Sequence, residues 1–341
     1  MTISISKKPE NASLLFSQLG PEKPTPRRSA KPVSRDDFAI TGTTGSFMNR
    51  FALLPTALCF LLSLARPASV AAPDHGSLLH EKRQAANDLE IGGELAGLPP
   101  GSTRFVAYKD LLNLPLVSYT VSDDTNFPPR TRISGVPLSE LPHLIGGSKD
   151  AGLVVAICYD GYRTNYPAAY LQAHRPILVL KIDGKTEDHW PKSEHGGALG
   201  PYLISHPAYT PSFKVLSHTD EAQIPFGVTR IEFREERAVL GAIAPHGSYP
   251  ANSPVMNGYR IAQQNCFRCH NMGPEGGQMA GRGWQILGVW AATEPQYFMR
   301  YVRNPQSIDP KNHMPGNPQY DAATIDALRQ YFATFANVGQ R

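Results

Sequence analysis

Residues 261–270 read IAQQNCFRCH. Cys266 and Cys269 stand two residues apart, and His270 follows the second directly. The run before them, MNGYRIAQQ, spaces its apolar residues as a helix does, so a helix leads into the motif. Three chemistries use such a pair. A zinc site needs two further Cys or His at matching spacing, and no second C-x-x-C exists in the chain. A redox dithiol follows a strand in a βαβ pattern, whereas a helix precedes this one. The third is covalent haem attachment, for which C-x-x-C-H is the pattern. Two thiols on one turn reach the vinyl groups of one haem edge, and the next residue aims its imidazole at the iron.

A haem held from one face by His270 wants a ligand on the other. Residues 299–316, MRYVRNPQSIDPKNHMPG, place a Met-Pro in a loop between two helical patterns. Thioether sulfur is a soft donor that favours ferrous haem, so a His/Met pair raises the reduction potential. Met314 is therefore the candidate sixth ligand. Met279 stands next, Met272 and Met299 are further rivals, and gap filling in a core is the ordinary use of methionine. His313 adjoins Met314, but its backbone position points it away.

With these residues in view, 254–338 resembles a small class I cytochrome c. A helix carrying Gly258 leads into C-x-x-C-H. A Gly-rich stretch, GPEGGQMAGRG, follows, then a helix ending in VRNP, the Met-Pro loop, and a C-terminal helix, DAATIDALRQYFATFANV. In that helix Asp321 is placed to cap, and Ile325, Leu328, Phe332 and Phe335 lie on one face. The resemblance covers about a quarter of the chain. It implies one covalently bound haem c, single-electron transfer and redox protein partners. Ile261, Leu328, Tyr331 and Phe332 would then make helix contacts and haem walls.

The preceding region, 89–245, is mixed in character. LVVAICY (153–159) and ILVLKIDG (177–184) are short apolar runs ending at turn residues, and VTRIEFR (228–234) alternates; all three read as strands. YKDLLNL and PLSELPHLIG read as short helices, and Asp160 with Gly161 as a turn. The fold class expected is α+β, a mixed-sheet region followed by an all-α one. In order, ISGVPLSELPHLIGG, AICYDGYRTNYP, ILVLKIDGKT, EHGGALGPYLIS and TPSFKVLSH resemble the molybdopterin-binding domain of the sulfite oxidase family. That resemblance implies Cys158 as a thiolate ligand of molybdenum, His195, Gly196 and Gly197 as an HGG turn, and Ser212 with Lys214 as a pterin-holding segment. The pattern departs at Gly200, where the family carries arginine, and in DGYRTNYP, which lacks the arginine-rich signature of sulfite oxidation although Arg163 lies close. Read from its own surroundings, Cys158 is equally a small buried hydrophobe in an apolar strand, and His195 a structural hydrogen-bonding residue.

The 341 residues give room for two ordinary domains. Of 33 Lys and Arg and 29 acids, nine bases and four acids fall in 1–71, leaving 24 against 25 in the remainder. The working part is thus close to neutral, and the lack of a basic stripe argues against nucleic acid as a partner. Around Met48 the text turns into a leader. Arg50 supplies a positive start, Phe51 to Ala65 is largely apolar, and Ser69-Val70-Ala71 offers small residues to a signal peptidase. The run falls short of the ~18 residues of a membrane span, so a membrane association would come only through an uncleaved leader. Residues 1–47 show no apolar period and read as disordered or as an extension from an upstream start codon. Residues 48–71 read as a signal peptide and 72–88 and 246–253 as linkers. Export to the periplasm or beyond would remove Cys59 and leave Cys158, Cys266 and Cys269.

Two functions compete on these grounds. One is an exported electron carrier with a haem. The other is a molybdenum-cofactor oxidoreductase of a small oxo-acid, with the fused haem as its electron outlet. A haem sensor that exchanges Met314 for another ligand stands behind both.

Overall fold

The computed structural model describes residues 78–193, 197–208 and 222–336. The leader expected at 48–71 lies outside them, as do residues 1–47.

The apolar run 153–158 shows how the architecture is built. It forms strand β5 (Leu153–Cys158), whose side chains alternate between two faces. Val154, Ala156 and Cys158 enter one apolar cluster, and Leu153 and Val155 enter another. Both faces are covered, so the strand carries no polar alternation. The same logic gives β7 (Ile177–Ile182): Leu178 and Leu180 join the first cluster, Ile177 and Val179 a third.

Among the described residues nine strands make one mixed sheet. Its path runs β2 (Arg104–Val106), β1 (Leu89–Gly93), β9 (Phe226–Arg234), β8 (Tyr202–Ser205), β7, β4 (Thr131–Pro137) and β3 (Val117–Val121). β1 runs parallel to β9, while β5 runs antiparallel to β9 and to β6 (Arg163–Pro167). Short helices α1 (Tyr108–Leu111), α2 (Leu141–Ile145), α3 (Ala168–His174) and α4 (Glu236–Leu240) connect or follow the strands. The three strands and two short helices expected from the sequence are present. The polar stretch before Leu89 is tied to the sheet rather than loose: His80 and Phe105 exchange backbone hydrogen bonds of 2.8 and 2.9 Å.

The C-terminal part is helical. α5 (Pro254–Gln264) is capped by Ser253, whose Oγ accepts from the Met256 amide. A two-strand ribbon, β10 (Asn271–Met272) with β11 (Glu275–Gly276), precedes α6 (Trp284–Thr293), α7 (Pro295–Arg303) and α8 (Ala322–Ala333). Asp321 caps α8 as expected, with Oδ1 accepting from Thr324 at 2.8 Å. α6 is an element the Gly-rich reading of its neighbourhood did not anticipate. The fold class is α+β, a mixed sheet and then a helical region.

The two regions share a core. Leu153 and Val155 from β5, with Val239, Leu240 and Ile243 after β9, pack into one cluster with Val255, Ile261, Trp284, Leu328 and Phe332. Burying a Leu or Val there stabilises by ~1.5–3 kcal/mol each. Polar ties follow the same path. The Tyr259 hydroxyl donates to the Leu240 carbonyl at 3.0 Å and the Tyr331 hydroxyl to that of Ile243 at 2.5 Å.

Candidate haem site

α5 stops at Gln264, before the cysteines, and a single 3-10 turn carries Cys266–Arg268. The amides of Cys269 and His270 both donate to the Cys266 carbonyl, at 3.3 and 3.0 Å. This tight turn, rather than a continuing helix, brings both thiols and the imidazole to one cavity.

The cavity measures about 570 Å³, within the roughly 300–1,000 Å³ of pockets that hold ligands and cofactors. Cys266, Cys269 and His270 line it beside an apolar wall of Leu287, Trp290, Phe298, Val302, Leu328 and Phe332. Leu328 and Phe332 are therefore wall residues. Ile261 and Tyr331 are buried in the helix contacts, and the Tyr331 hydroxyl also accepts from Trp284 Nε1 at 3.0 Å.

His270 is nearly buried, and its Nδ1 lies 2.7 Å from the carbonyl oxygen of Arg282. A carbonyl only accepts, so Nδ1 carries the proton and Nε2 keeps its lone pair. A ligating histidine is oriented by such a bond on its other nitrogen. Burial lowers the imidazole's pKa, against the opposing effect of the Arg282 carbonyl, and favours the neutral, ligating form.

Met314 and Met279 both line the cavity, and so does His313, which is exposed. Met314 sits in a braced loop. Its amide donates to Asn312 Oδ1 at 2.8 Å, its carbonyl accepts from Gln306 Nε2 at 2.8 Å, and Asn312 is bonded in turn to the Tyr301 hydroxyl. Met279 is 49% exposed, with its sulfur 3.8 Å from that of Cys269. Met272 and Met299 pack against the apolar cluster instead. Part of the polar rim is bonded to itself: Asn265 Nδ2 donates to Asn317 Oδ1 at 3.0 Å and to the Tyr320 hydroxyl at 2.8 Å. The donor set fits a haem. A zinc knot would need four ligands, and among the described residues no three His, Cys, Asp or Glu are arranged to hold a metal ion together.

Sequence reasoning missed several parts of this site. Arg282 contributes a backbone carbonyl, which no side-chain pattern reveals. Tyr162 comes from the sheet region, over a hundred positions before the cysteines.

Cys158 lies elsewhere, at the end of β5, 5% exposed within the first apolar cluster. Burial, then the charge of Asp160, pushes its thiol up to about 12. It is a protonated thiol in an apolar setting. Gly197 exchanges hydrogen bonds with Ser193, through the Ser193 hydroxyl at 3.1 Å and the Ser193 amide at 2.9 Å. His195, Gly196, Ser212 and Lys214 fall outside the described residues.

Residues 253–332 match the family model described as "Cytochrome C oxidase, cbb3-type, subunit III". This part of the chain is a cytochrome c domain. A cytochrome c domain implies haem c and single-electron exchange with redox proteins. No curated protein matches the chain. Among solved structures it is similar to the sulfane dehydrogenase SoxCD from Paracoccus pantotrophus, at 15% identity and a TM-score of 0.30, over 45% of this chain and 40% of that one.

Proposed function

We propose that the chain is an exported c-type cytochrome. It carries single electrons through one haem bound to Cys266 and Cys269, with His270 and Met314 as axial ligands. When bound, haem supplies an Fe(III)/Fe(II) couple that accepts and releases one electron. The chain's own residues do the rest. The 3-10 turn holds both thiols at one side of the cavity for thioether formation. The Arg282 carbonyl fixes the His270 tautomer, Gln306 and Asn312 hold the Met314 loop, and the aromatic wall excludes water.

The single observation that carries this reading is the His270–Arg282 bond, in a cavity both cysteines line. The leader at 48–71 supports export, since thioether haem attachment takes place outside the cytoplasm. Alkaline pyridine spectra of the purified protein should show a haem with two thioether links, and Cys266→Ala/Cys269→Ala should show none. Met314→Ala should lose the weak red-region methionine–iron band and lower the potential; an unchanged spectrum moves the ligand to Met279. Mass spectrometry of the exported protein should place its N-terminus just after Ala71.

A second reading, a molybdenum oxidoreductase, draws on the order of segments and on Cys158 at the end of β5. Metal analysis decides: about one molybdenum per chain, lost in Cys158→Ser, would establish the oxidoreductase.

A further inference from the structure

The cytochrome c domain does not make its cavity alone, for Tyr162 reaches it from the sheet. The delivery is built into the sequence CYDGY at 158–162. The Cys158 amide donates to the Tyr162 carbonyl at 2.8 Å, and the Gly161 amide to the Cys158 carbonyl at 3.0 Å, closing a tight turn between β5 and β6. Asp160 Oδ1 accepts from the Tyr162 amide at 2.9 Å. Gly161 has φ +85°, a left-handed conformation that glycine adopts without strain.

The turn is also fastened to the haem side. The Gly161 carbonyl accepts from the Gln278 amide at 2.9 Å, one residue before Met279. Arg268, between the two cysteines, donates to the Ala222 carbonyl at 3.3 Å and lines the same cavity as Tyr162. Behind the turn, Arg163 pairs with Glu275 at 2.8 Å. The backbone that carries Tyr162 is thus tied to both regions, and the residue lines the cavity together with Cys269.

We infer that Tyr162 is a positioning residue of the haem pocket, sealing its cysteine edge against water and so holding the reduction potential up. This rests on the haem reading. Ferric haem carries one more positive charge than ferrous, so water admitted at this edge stabilises the ferric form and lowers the potential.

The test is a spectroelectrochemical titration of the haem-loaded full chain. Tyr162→Ala should titrate at a lower midpoint potential than the unsubstituted protein. Tyr162→Phe, which keeps the ring, should stay close to it, as should the exposed and remote Tyr249→Ala. An unshifted Tyr162→Ala, or a Tyr162→Phe that falls as far, overturns the inference. Should Tyr162→Ala fail to fold, Tyr162→Leu and Tyr162→Thr replace it: leucine must hold the potential and threonine lower it, and equal potentials overturn the inference. Pyridine spectra of the unsubstituted protein separate the two failures. Absence of a c-type haem there removes the haem reading itself, whereas a normal haem with an unmoved Tyr162→Ala potential removes only the role of Tyr162.

Discussion

Arg163 of the sheet and Glu275 of the cytochrome c domain form an ion pair of 2.8 Å, with side chains only 7% and 10% exposed. Arg234 holds the other Glu275 oxygen at 2.5 Å, and Glu232 approaches Arg163 and Arg234 at 3.6 and 3.1 Å. A single glutamate in the ribbon after the cysteines is therefore fixed by two arginines from β6 and β9, the strands on either side of β5. Glu275→Gln removes one of the two carboxylates that face these guanidiniums and leaves Glu232 as their remaining partner, at a cost of ~1–3 kcal/mol. Chemical denaturation should show that loss. A change below ~1 kcal/mol, the usual worth of a surface pair, would show that the network is solvated.

Acid should weaken the fold through a second buried cluster. His206 is held down to about 3 by burial, then by the charge of His174, with Asp123 pulling the other way; the Tyr170 hydroxyl lies 3.0 Å from its Nε2. Between 6.5 and about 3 the unfolded chain binds a proton that the folded chain refuses. Stability therefore falls as pH drops through that window, with a slope of up to about 1.4 kcal/mol per pH unit from this group. Glu232 adds to the loss at lower pH. Burial pushes its pKa up, but Arg230 and Arg163 outweigh burial and hold it below 4.5, so its contribution is present above that value and lost beneath it. Denaturation midpoints from pH 7 to 4 should fall less steeply in His206→Asn than in the unsubstituted protein; parallel slopes would refute the assignment.

Gly258 sets how closely α5 and α8 cross. A Cβ there would fall on the Ala327 carbonyl and 2.8 Å from the Tyr331 Cβ. Backbone cannot retreat as a flexible side chain does, so Gly258→Ala should cost ~1–3 kcal/mol or more. A thermal melt followed at the Soret band reads both the fold and the haem pocket. An unchanged melting temperature would mean that the helices separate freely.

The Cys158 thiol, raised to about 12, should be inert. At pH 8 only about one thiol in ten thousand is ionised, and the thiolate is the reactive form. In haem-loaded protein without its leader, iodoacetamide should label nothing until the chain is denatured, and then one residue. Labelling of native protein within minutes would show an accessible, activated thiol.

Much of this was legible because it is local. The cap at Asp321 needs only a short side chain and an amide three residues on. The apolar runs of β5 and β7 report strands buried on both faces, and CxxCH puts its three groups within five positions. α6 was not legible, because its apolar residues surround the helix and leave no one-sided stripe. Nor was the stop of α5 at Gln264, which depends on the following turn being held by the Cys266 carbonyl.

The sequence by itself determined which atoms could hold a haem, since two thiols and an imidazole at fixed spacing depend on one turn of chain. It also marked the strands and helices whose burial pattern repeats with their own period. Only the tertiary structure decided what surrounds those atoms: the Arg282 carbonyl that orients His270, the braced loop of Met314, and Tyr162 brought in from the sheet. These are contacts between distant segments, made by backbone groups or by one side chain among many like it. They exist only because Leu153 and Val155 bury their outer face against the cytochrome c domain and carry the β5–β6 turn to the edge of its cavity.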